Sequence, residues 1–172
     1  MLRMGFAPQT TLSLRCEGDG MRRREREIQD LGEIEGIIRK ALVCRLGLAA
    51  DNRPYVVPLC FGYRDRTVYV HSAPEGRKVE LVRKNPQVCV EFDVDQEVLP
   101  AREPCAWGMR YRSVIAFGNA SVVEDLAEKR RAFDLIMEHY GGAPSVYPER
   151  TVEHILIIKI ELEQMTGKQA NY

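Results

Sequence analysis

Two adjacent cations, Arg77 and Lys78, are the residues of this sequence whose placement most strongly suggests chemistry. They end the segment HSAPEGRK (71–78), which leaves a predicted strand, turns through a proline and a glycine and enters a predicted helix. A helix N-terminus carries free N–H groups and partial positive charge, so it disfavours cations and attracts anions. A phosphate between the two side chains would explain the pair. Two solvated surface cations beside Glu75 and Glu80 are the alternative explanation.

His71 is the second candidate for chemistry, because it lies at the predicted strand end just before this turn. Histidine side chains exchange protons near neutral pH and can donate a proton to a bound substrate. A ring that only hydrogen-bonds the backbone is the alternative interpretation. No motif surrounds His139 or His154, so both are interpreted as structural.

Before this segment, the sequence predicts one helix and then short strands joined by tight turns. Asp30 is predicted to cap a helix with one apolar stripe, formed by Ile34, Ile37, Ile38 and Leu42. Residues 43–50 and the run PYVVPLCFGY (54–63) follow as extended segments, and TVYVHSA (67–73) is a third strand. Prolines within the second segment predict that it is an interrupted or edge strand.

The second half of the chain continues this mixture of elements. A short helix from residue 77 stops at Asn85-Pro86, and QVCVEFDVD (87–95) is a half-buried strand. After a loop at 99–107, a long strand contains Gly118, which marks a bulge or a close backbone approach. Residues 126–140 form a helix with the stripe Leu126, Phe133, Ile136 and Met137, and a last strand follows. Together these elements predict an α+β, mainly β protein built around a barrel-like sheet.

Composition limits the classes of partner. The 172 residues fit a single domain, predicted to span residues 21–172 behind a flexible extension at 1–20. The 25 basic and 25 acidic side chains cancel, which argues against a nucleic-acid or membrane partner. Five scattered cysteines without zinc-like spacing predict reduced thiols, no metal site and a cytoplasmic location. No apolar run reaches the roughly 20 residues of a membrane helix, and the first twenty residues lack a secretory h-region.

Four motifs in order carry a resemblance to a known family: PYVVPLCFGY, YVHSAPEGRK, NPQVCVEFD and YRSVIAFGNA. The series resembles the pyridoxamine 5′-phosphate oxidase-like FMN-binding split-barrel flavoproteins, in particular their nitroimidazole-resistance branch. The similarity covers Met21 to about Lys168. It implies a homodimer of split β-barrels with flanking helices, which binds one FMN per subunit near the subunit interface.

The resemblance also implies roles for individual residues. Arg77 and Lys78 match the pair that holds the FMN phosphate. The strand beside the isoalloxazine ring corresponds to Val57, Pro58 and Leu59, and the strand end next to the flavin corresponds to His71 and Ser72.

Further flavin contacts are expected on the strand that follows the 99–107 loop. Ser113 occupies a position where related members supply a polar flavin contact. Trp107 and Tyr111 flank the loop that would approach the partner subunit, where they would stack on the flavin or close a pocket. A simple interface anchor is an equally good interpretation of Trp107.

The expected activity follows from this resemblance and from where the sequence departs from it. The C-terminal segment MTGKQANY lacks the Trp-Arg-Leu substrate motif of the vitamin-forming oxidase, so pyridoxamine phosphate oxidation is not expected. The expectation is a flavin-dependent oxidoreductase that passes electrons from NAD(P)H to a small acceptor such as a nitro-aromatic compound, with His71 as the proton source.

Three other functions remain as alternatives. The same fold could bind haem through His71, or a deazaflavin. A non-catalytic flavin- or ligand-binding module is compatible with the fold as well. A barrel that binds single-stranded nucleic acid would need a basic, aromatic groove, and the neutral charge and 8% aromatic content argue against it.

Overall fold

The computed structural model describes residues 23–172 of the chain; the predicted extension at residues 1–20 lies outside this range. Within it the strands are β1 Glu27–Ile28, β2 Cys44–Ala50, β3 Arg53–Leu59, β4 Gly62–Arg64, β5 Thr67–Ser72, β6 Gln87–Leu99, β7 Gly108–Val123 and β8 Leu156–Ala170. The helices are α1 Leu31–Lys40, α2 Arg77–Lys84, α3 Leu126–His139 and α4 Glu149–His154. Short 3₁₀ turns occupy Arg24–Arg26 and Pro104–Ala106.

The strands form one antiparallel sheet in the order β3-β2-β6-β7-β8-β5-β4, and β1 pairs with β8. The long strands β6, β7 and β8 lie side by side at its centre. Within the described residues β3 pairs only with β2, so it is an edge strand. Proline cannot donate to a strand ladder, and Pro54 and Pro58 are accommodated for this reason. The mainly β, α+β prediction is confirmed.

The inner face of the sheet carries the main core, which includes Phe61, Phe92, Leu46, Val90 and Val114. Two helices close this core with their apolar sides. They contribute Ile34, Ile37 and Ile38 from α1, and Val79 and Val82 from α2. Burial of these side chains is what fixes both helices against the sheet.

Helix α1 begins as the sequence predicts and ends earlier. The Asp30 carboxylate accepts a hydrogen bond from the backbone N–H of Glu33 at 2.8 Å, which is an N-cap. The inclusion of Leu42 in the apolar stripe is wrong. The helix ends at Lys40, the backbone of Ala41 is extended, and the Leu42 side chain is 70% exposed.

The buried side of helix α3 differs from the apolar stripe predicted from the sequence. Its buried residues are Lys129, Ala132, Leu135 and Ile136, whereas Met137 is exposed. The difference follows from close packing on β4, because a Cβ added to Gly62 would lie 2.6 Å from the Leu135 carbonyl carbon. The placement of Met137 in the stripe is therefore wrong.

Several boundaries differ from the predicted ones. The run 54–63 divides into β3 and β4 at Cys60 and Phe61, and β1 and α4 were not predicted. The register of β7 against β8 shifts between Phe117 and Gly118, so the predicted irregularity at Gly118 is confirmed. None of the helices within residues 23–172 combines the length and apolarity needed to cross a membrane.

Candidate functional site

Arg77 and Lys78 form the first turn of α2, as predicted. The preceding Gly76 has φ +123°, a conformation that favours glycine, and its carbonyl accepts from the N–H groups of Val79 and Glu80 at 3.0 and 3.1 Å. Among the described residues no side chain caps this helix end. The helix therefore starts with two cations and without the side-chain acceptor that α1 and α3 have.

Lys78 is half-buried, and burial lowers the pKa of its ammonium group. The nearby thiol of Cys44 is itself buried, which raises its pKa to about 12. Lys78 takes part in none of the ion pairs formed within residues 23–172. Cys44 is paired in the sheet with Leu59, the last residue of β3.

Arg77 is exposed, and its guanidinium Cζ lies 5.0 Å from the centre of the Tyr55 ring on β3. It borders a cavity of about 530 Å³ between α2 and the β2–β3 turn. Arg53 and Lys84 add positive charge to this cavity, and the ammonium group of Lys84 pairs with Asp51. From the first turn of α2, Arg77 therefore contacts β3 through Tyr55, and Lys78 lies near Cys44 of the neighbouring strand β2.

The three β3 residues expected beside a flavin ring alternate in exposure. Val57 and Leu59 are half-buried and pack against the core, whereas Pro58 is exposed. Because β3 is an edge strand, backbone groups along one side are free of the sheet ladder. This free side can hydrogen-bond a planar heterocycle with several polar edge atoms.

His71 and Ser72 lie at the C-terminal end of β5 and point to opposite faces. Ser72 is buried on the side of Val68 and Val70. His71 is exposed on the other side, which it shares with Tyr69, whose hydroxyl bonds Glu128 of α3 at 3.3 Å. Four residues connect this strand end to Arg77.

Trp107, Tyr111 and Ser113 lie elsewhere in the chain. Trp107 precedes β7, is 56% exposed and donates its indole N–H to the carbonyl of Ala101 at 2.8 Å. Tyr111 and Ser113 belong to β7, which β2 and β6 separate from β3. Three strand spacings are about 14 Å. The chain therefore places α2 against β2, the neighbour of β3, whereas the sheet order separates both the β5 and the β7 candidates from β3.

A row of exposed apolar side chains crosses the outer face of the sheet from β3 to β7, and the sequence analysis missed it. The register aligns Val56, Gly47, Cys89 and Phe117 in one row across β3, β2, β6 and β7. Val56 and Phe117 are 62% and 49% exposed, and Ile115 on the next row is 45% exposed. The alternation of Ile115 and Phe117 with buried neighbours in YRSVIAFGNA is the signal that could have found this face.

A charged group borders this apolar row. Arg45 of β2 donates to Glu91 of β6 at 2.9 Å and also bonds Asp93. Burial raises the pKa of Glu91, and the hydrogen bond from Arg45 opposes that rise. Asp93 is paired in register with Ser113, so the charged group lies between the apolar row and the β7 candidates.

The sheet order, the edge strand and the flanking helices define a split β-barrel. A family model described as pyridoxamine 5′-phosphate oxidase matches residues 30–169, and the chain belongs to this family.

Solved structures of similar proteins agree with this assignment. A candidate 5-nitroimidazole antibiotic resistance protein of Bacteroides thetaiotaomicron is 38% identical, with 83% of this chain and 86% of that one covered and a TM-score of 0.75. A FAD-binding protein of Mesorhizobium loti is 27% identical over 85% and 98% of the two chains, with a TM-score of 0.64. A FAD- and haem-binding protein of Mycobacterium smegmatis, at 15% identity, 86% and 74% coverage and a TM-score of 0.74, shares the fold.

A curated relative matches a shorter segment. An uncharacterised protein of Rhizobium meliloti is 30% identical over 60 residues, which are 35% of this chain and 39% of that protein.

Proposed function

We propose that this protein is a flavin-dependent oxidoreductase that binds FMN with its phosphate at the start of α2. The observation that carries the proposal is the half-buried Lys78, which has no carboxylate partner within residues 23–172 and lies beside Arg77 at an uncapped helix end. Burying an ammonium group costs free energy unless an anion compensates it. A phosphate supplies that anion and also accepts hydrogen bonds from Arg77 and the helix N–H groups.

The rest of the flavin would lie along β3, beside Val57, Pro58 and Leu59. The free side of this edge strand would offer backbone groups to the polar edge of the ring. Ser72 and His71, four residues before Arg77 in the chain, would border the flavin as the family resemblance implies. Bound FMN would supply two-electron redox chemistry. The protein would hold the phosphate, orient the ring and limit the access of water to it.

A second copy of the chain would complete the site. The exposed row around Val56 and Phe117 is apolar and continuous with β3, which supports a homodimer formed through this face. In such a dimer, Trp107, Tyr111 and Ser113 from a second subunit would approach the flavin. This arrangement would explain why Tyr111 and Ser113 lie three strands, or about 14 Å, from β3 of their own chain.

The acceptor we propose is a nitro-aromatic compound, and the donor is NAD(P)H. The 38% identity to a candidate 5-nitroimidazole antibiotic resistance protein over most of both chains supports this choice. Reduction of a nitro group to an amine consumes three hydride equivalents and three protons from solution or a side chain, and it releases two waters. His71, exposed at the end of β5, would relay these protons.

FAD is the second candidate for the cofactor. The cavity of about 530 Å³ beyond Arg77 contains the further cation Arg53, which a second phosphate would use. The FAD-binding protein of Mesorhizobium loti supports this choice.

We also propose a cytoplasmic location. It is supported by the four described cysteines, none of which forms a disulfide within residues 23–172.

The purified protein's visible spectrum tests the proposal. We expect flavin absorption bands, FMN after extraction and chromatography, bleaching by NADPH under anaerobic conditions, and re-oxidation by a nitroimidazole. Extracted FAD would correct the cofactor. A Soret band would support the haem-binding alternative, and stable flavin that NADPH fails to bleach would support a binding module. Colourless protein that does not take up added FMN would overturn the proposal.

A further inference from the structure

The guanidinium group of Arg77 rests on the aromatic ring of Tyr55. The Cζ atom of Arg77 lies 5.0 Å from the ring centre, within the range of a cation–π contact. Arg77 joins no carboxylate in the ion pairs formed within residues 23–172. The aromatic ring is therefore the contact that limits the orientations of this long side chain.

The ring of Tyr55 is itself held in place. Alternation along β3 puts Tyr55 on the same side as Val57 and Leu59, and all three are half-buried against the core. The strand is paired with β2 on both sides of this position, with Tyr55 opposite Leu48. A side chain packed in this way offers a rigid support, whereas Arg77 alone would sample many rotamers.

We propose that Tyr55 is a positioning residue for phosphate binding: its ring holds the Arg77 guanidinium so that the two cations of α2 converge on one anion. The inference rests on the proposed flavin function and adds a residue that does not itself contact the phosphate. A lysine lacks the planar group that stacks on a ring, so the same support explains an arginine at position 77.

The contribution of Tyr55 should be specific to the phosphate. Riboflavin has the same ring as FMN but no phosphate. Its affinity therefore depends on the ring-binding part of the site and not on the phosphate contact made by Arg77. Loss of the Tyr55 ring should weaken FMN binding about 3- to 10-fold and leave riboflavin binding unchanged. Phenylalanine keeps the ring face, so it should preserve FMN affinity within about twofold.

The experiment is a fluorescence titration of the full-length protein with FMN and with riboflavin. The variants are Tyr55→Leu, Tyr55→Phe, Arg77→Gln and the double variant Tyr55→Leu, Arg77→Gln. Tyr55→Ile replaces Tyr55→Leu if the latter does not fold. In the Arg77→Gln background, loss of the ring should have no further effect on FMN. That result would show that Tyr55 acts through Arg77.

Two other results would overturn the inference. Equal weakening of FMN and riboflavin by Tyr55→Leu or Tyr55→Ile would mean that Tyr55 only maintains the packing of β3. Unchanged FMN binding would mean that the contact with Arg77 does not position it. In both cases the unmodified protein still binds FMN and the proposed function stands, whereas no FMN binding by the unmodified protein overturns both.

Discussion

At the residue scale, the two cations at the start of α2 are held in different ways. Arg77 is exposed and rests on an aromatic ring, so it costs little when no anion is bound. Lys78 is half-buried without a carboxylate partner in the described structure, and burial lowers its pKa. Burial of the Lys78 charge lowers the free energy of unfolding of the flavin-free protein, and a bound anion offsets this loss. This residue therefore lowers stability in return for binding.

Replacing Lys78 should therefore change stability and binding in opposite directions. Lys78→Met should raise the free energy of unfolding of the flavin-free protein by about 0.5–1 kcal/mol, because an apolar side chain of similar length replaces a desolvated charge. FMN affinity should fall about tenfold or more. Urea unfolding and FMN titration measure the two effects. Lys84→Met, which removes a cation paired with Asp51 on the same helix, is the control and should not stabilise the protein.

The lowered pKa of Lys78 also predicts a pH dependence. The folded, flavin-free protein binds a proton at Lys78 less tightly than the unfolded chain does. The cost of the buried charge is therefore full below the lowered pKa and is lost as pH rises from it to the ordinary lysine pKa of the unfolded chain. FMN needs the charged form, so its affinity should begin to fall at a pH below the ordinary lysine pKa, in a range where the phosphate charge stays constant. Lys78→Arg should remove this dependence, since arginine stays protonated. An equal dependence for riboflavin would contradict the assignment to Lys78.

At the scale of elements, local signals predicted boundaries better than packing orientation. Asp30 capped α1 and Asn85 ended α2 as expected, because caps and proline stops act within a few residues. The exposure of Leu42 and Met137 was not predictable in the same way. It depends on where the chain leaves α1 and on how closely α3 approaches β4, and both are set by tertiary contacts.

A substitution at Gly118 tests the close approach of β7 and β8, the longest strand pair of the sheet. A Cβ at this position would lie 2.1 Å from the carbonyl oxygen of Glu161, so Gly118→Ala should lower the free energy of unfolding by about 3 kcal/mol or more. Gly36→Ala in α1 is the matched control, because its Cβ would meet no atom within 4 Å. The control should raise stability by about 0.5–1 kcal/mol. Similar effects of both changes on urea unfolding would contradict the close approach.

At the scale of the whole molecule, the candidate residues lie on both faces of one sheet. Helix α2, Val57 and Leu59 lie on the core side, whereas Tyr111 and Ser113 share the outer face with the exposed apolar residues of β7. The residues at 57–59 and 77–78 were grouped by the family resemblance, and in the structure α2 packs against β2, the strand beside β3. The distance of Ser113 from this group could not be predicted, because it depends on strand order, which local patterns do not reveal. Strand order also creates the apolar row that ends in Val56 and Phe117.

This apolar row should be a contact between subunits. Phe117→Glu should convert the proposed dimer into monomers and weaken flavin binding with it, since charge in an apolar interface is costly. Light scattering after size exclusion gives the mass, and a flavin titration gives the affinity. Val146→Glu, at a side chain that is 97% exposed after α3, is the control and should change neither. A Phe117→Glu variant that remains dimeric would exclude this face as the interface.

The central claim is that Arg77 and Lys78 bind the phosphate of a flavin. Its most direct test compares the dissociation constants of FMN and riboflavin for the unmodified protein, for the Arg77→Gln, Lys78→Gln variant, and for Arg83→Gln at the other end of α2. The account predicts at least about 100-fold weaker FMN binding for the double variant, with riboflavin binding and the Arg83→Gln control unchanged. Unaltered FMN binding by the double variant would contradict it.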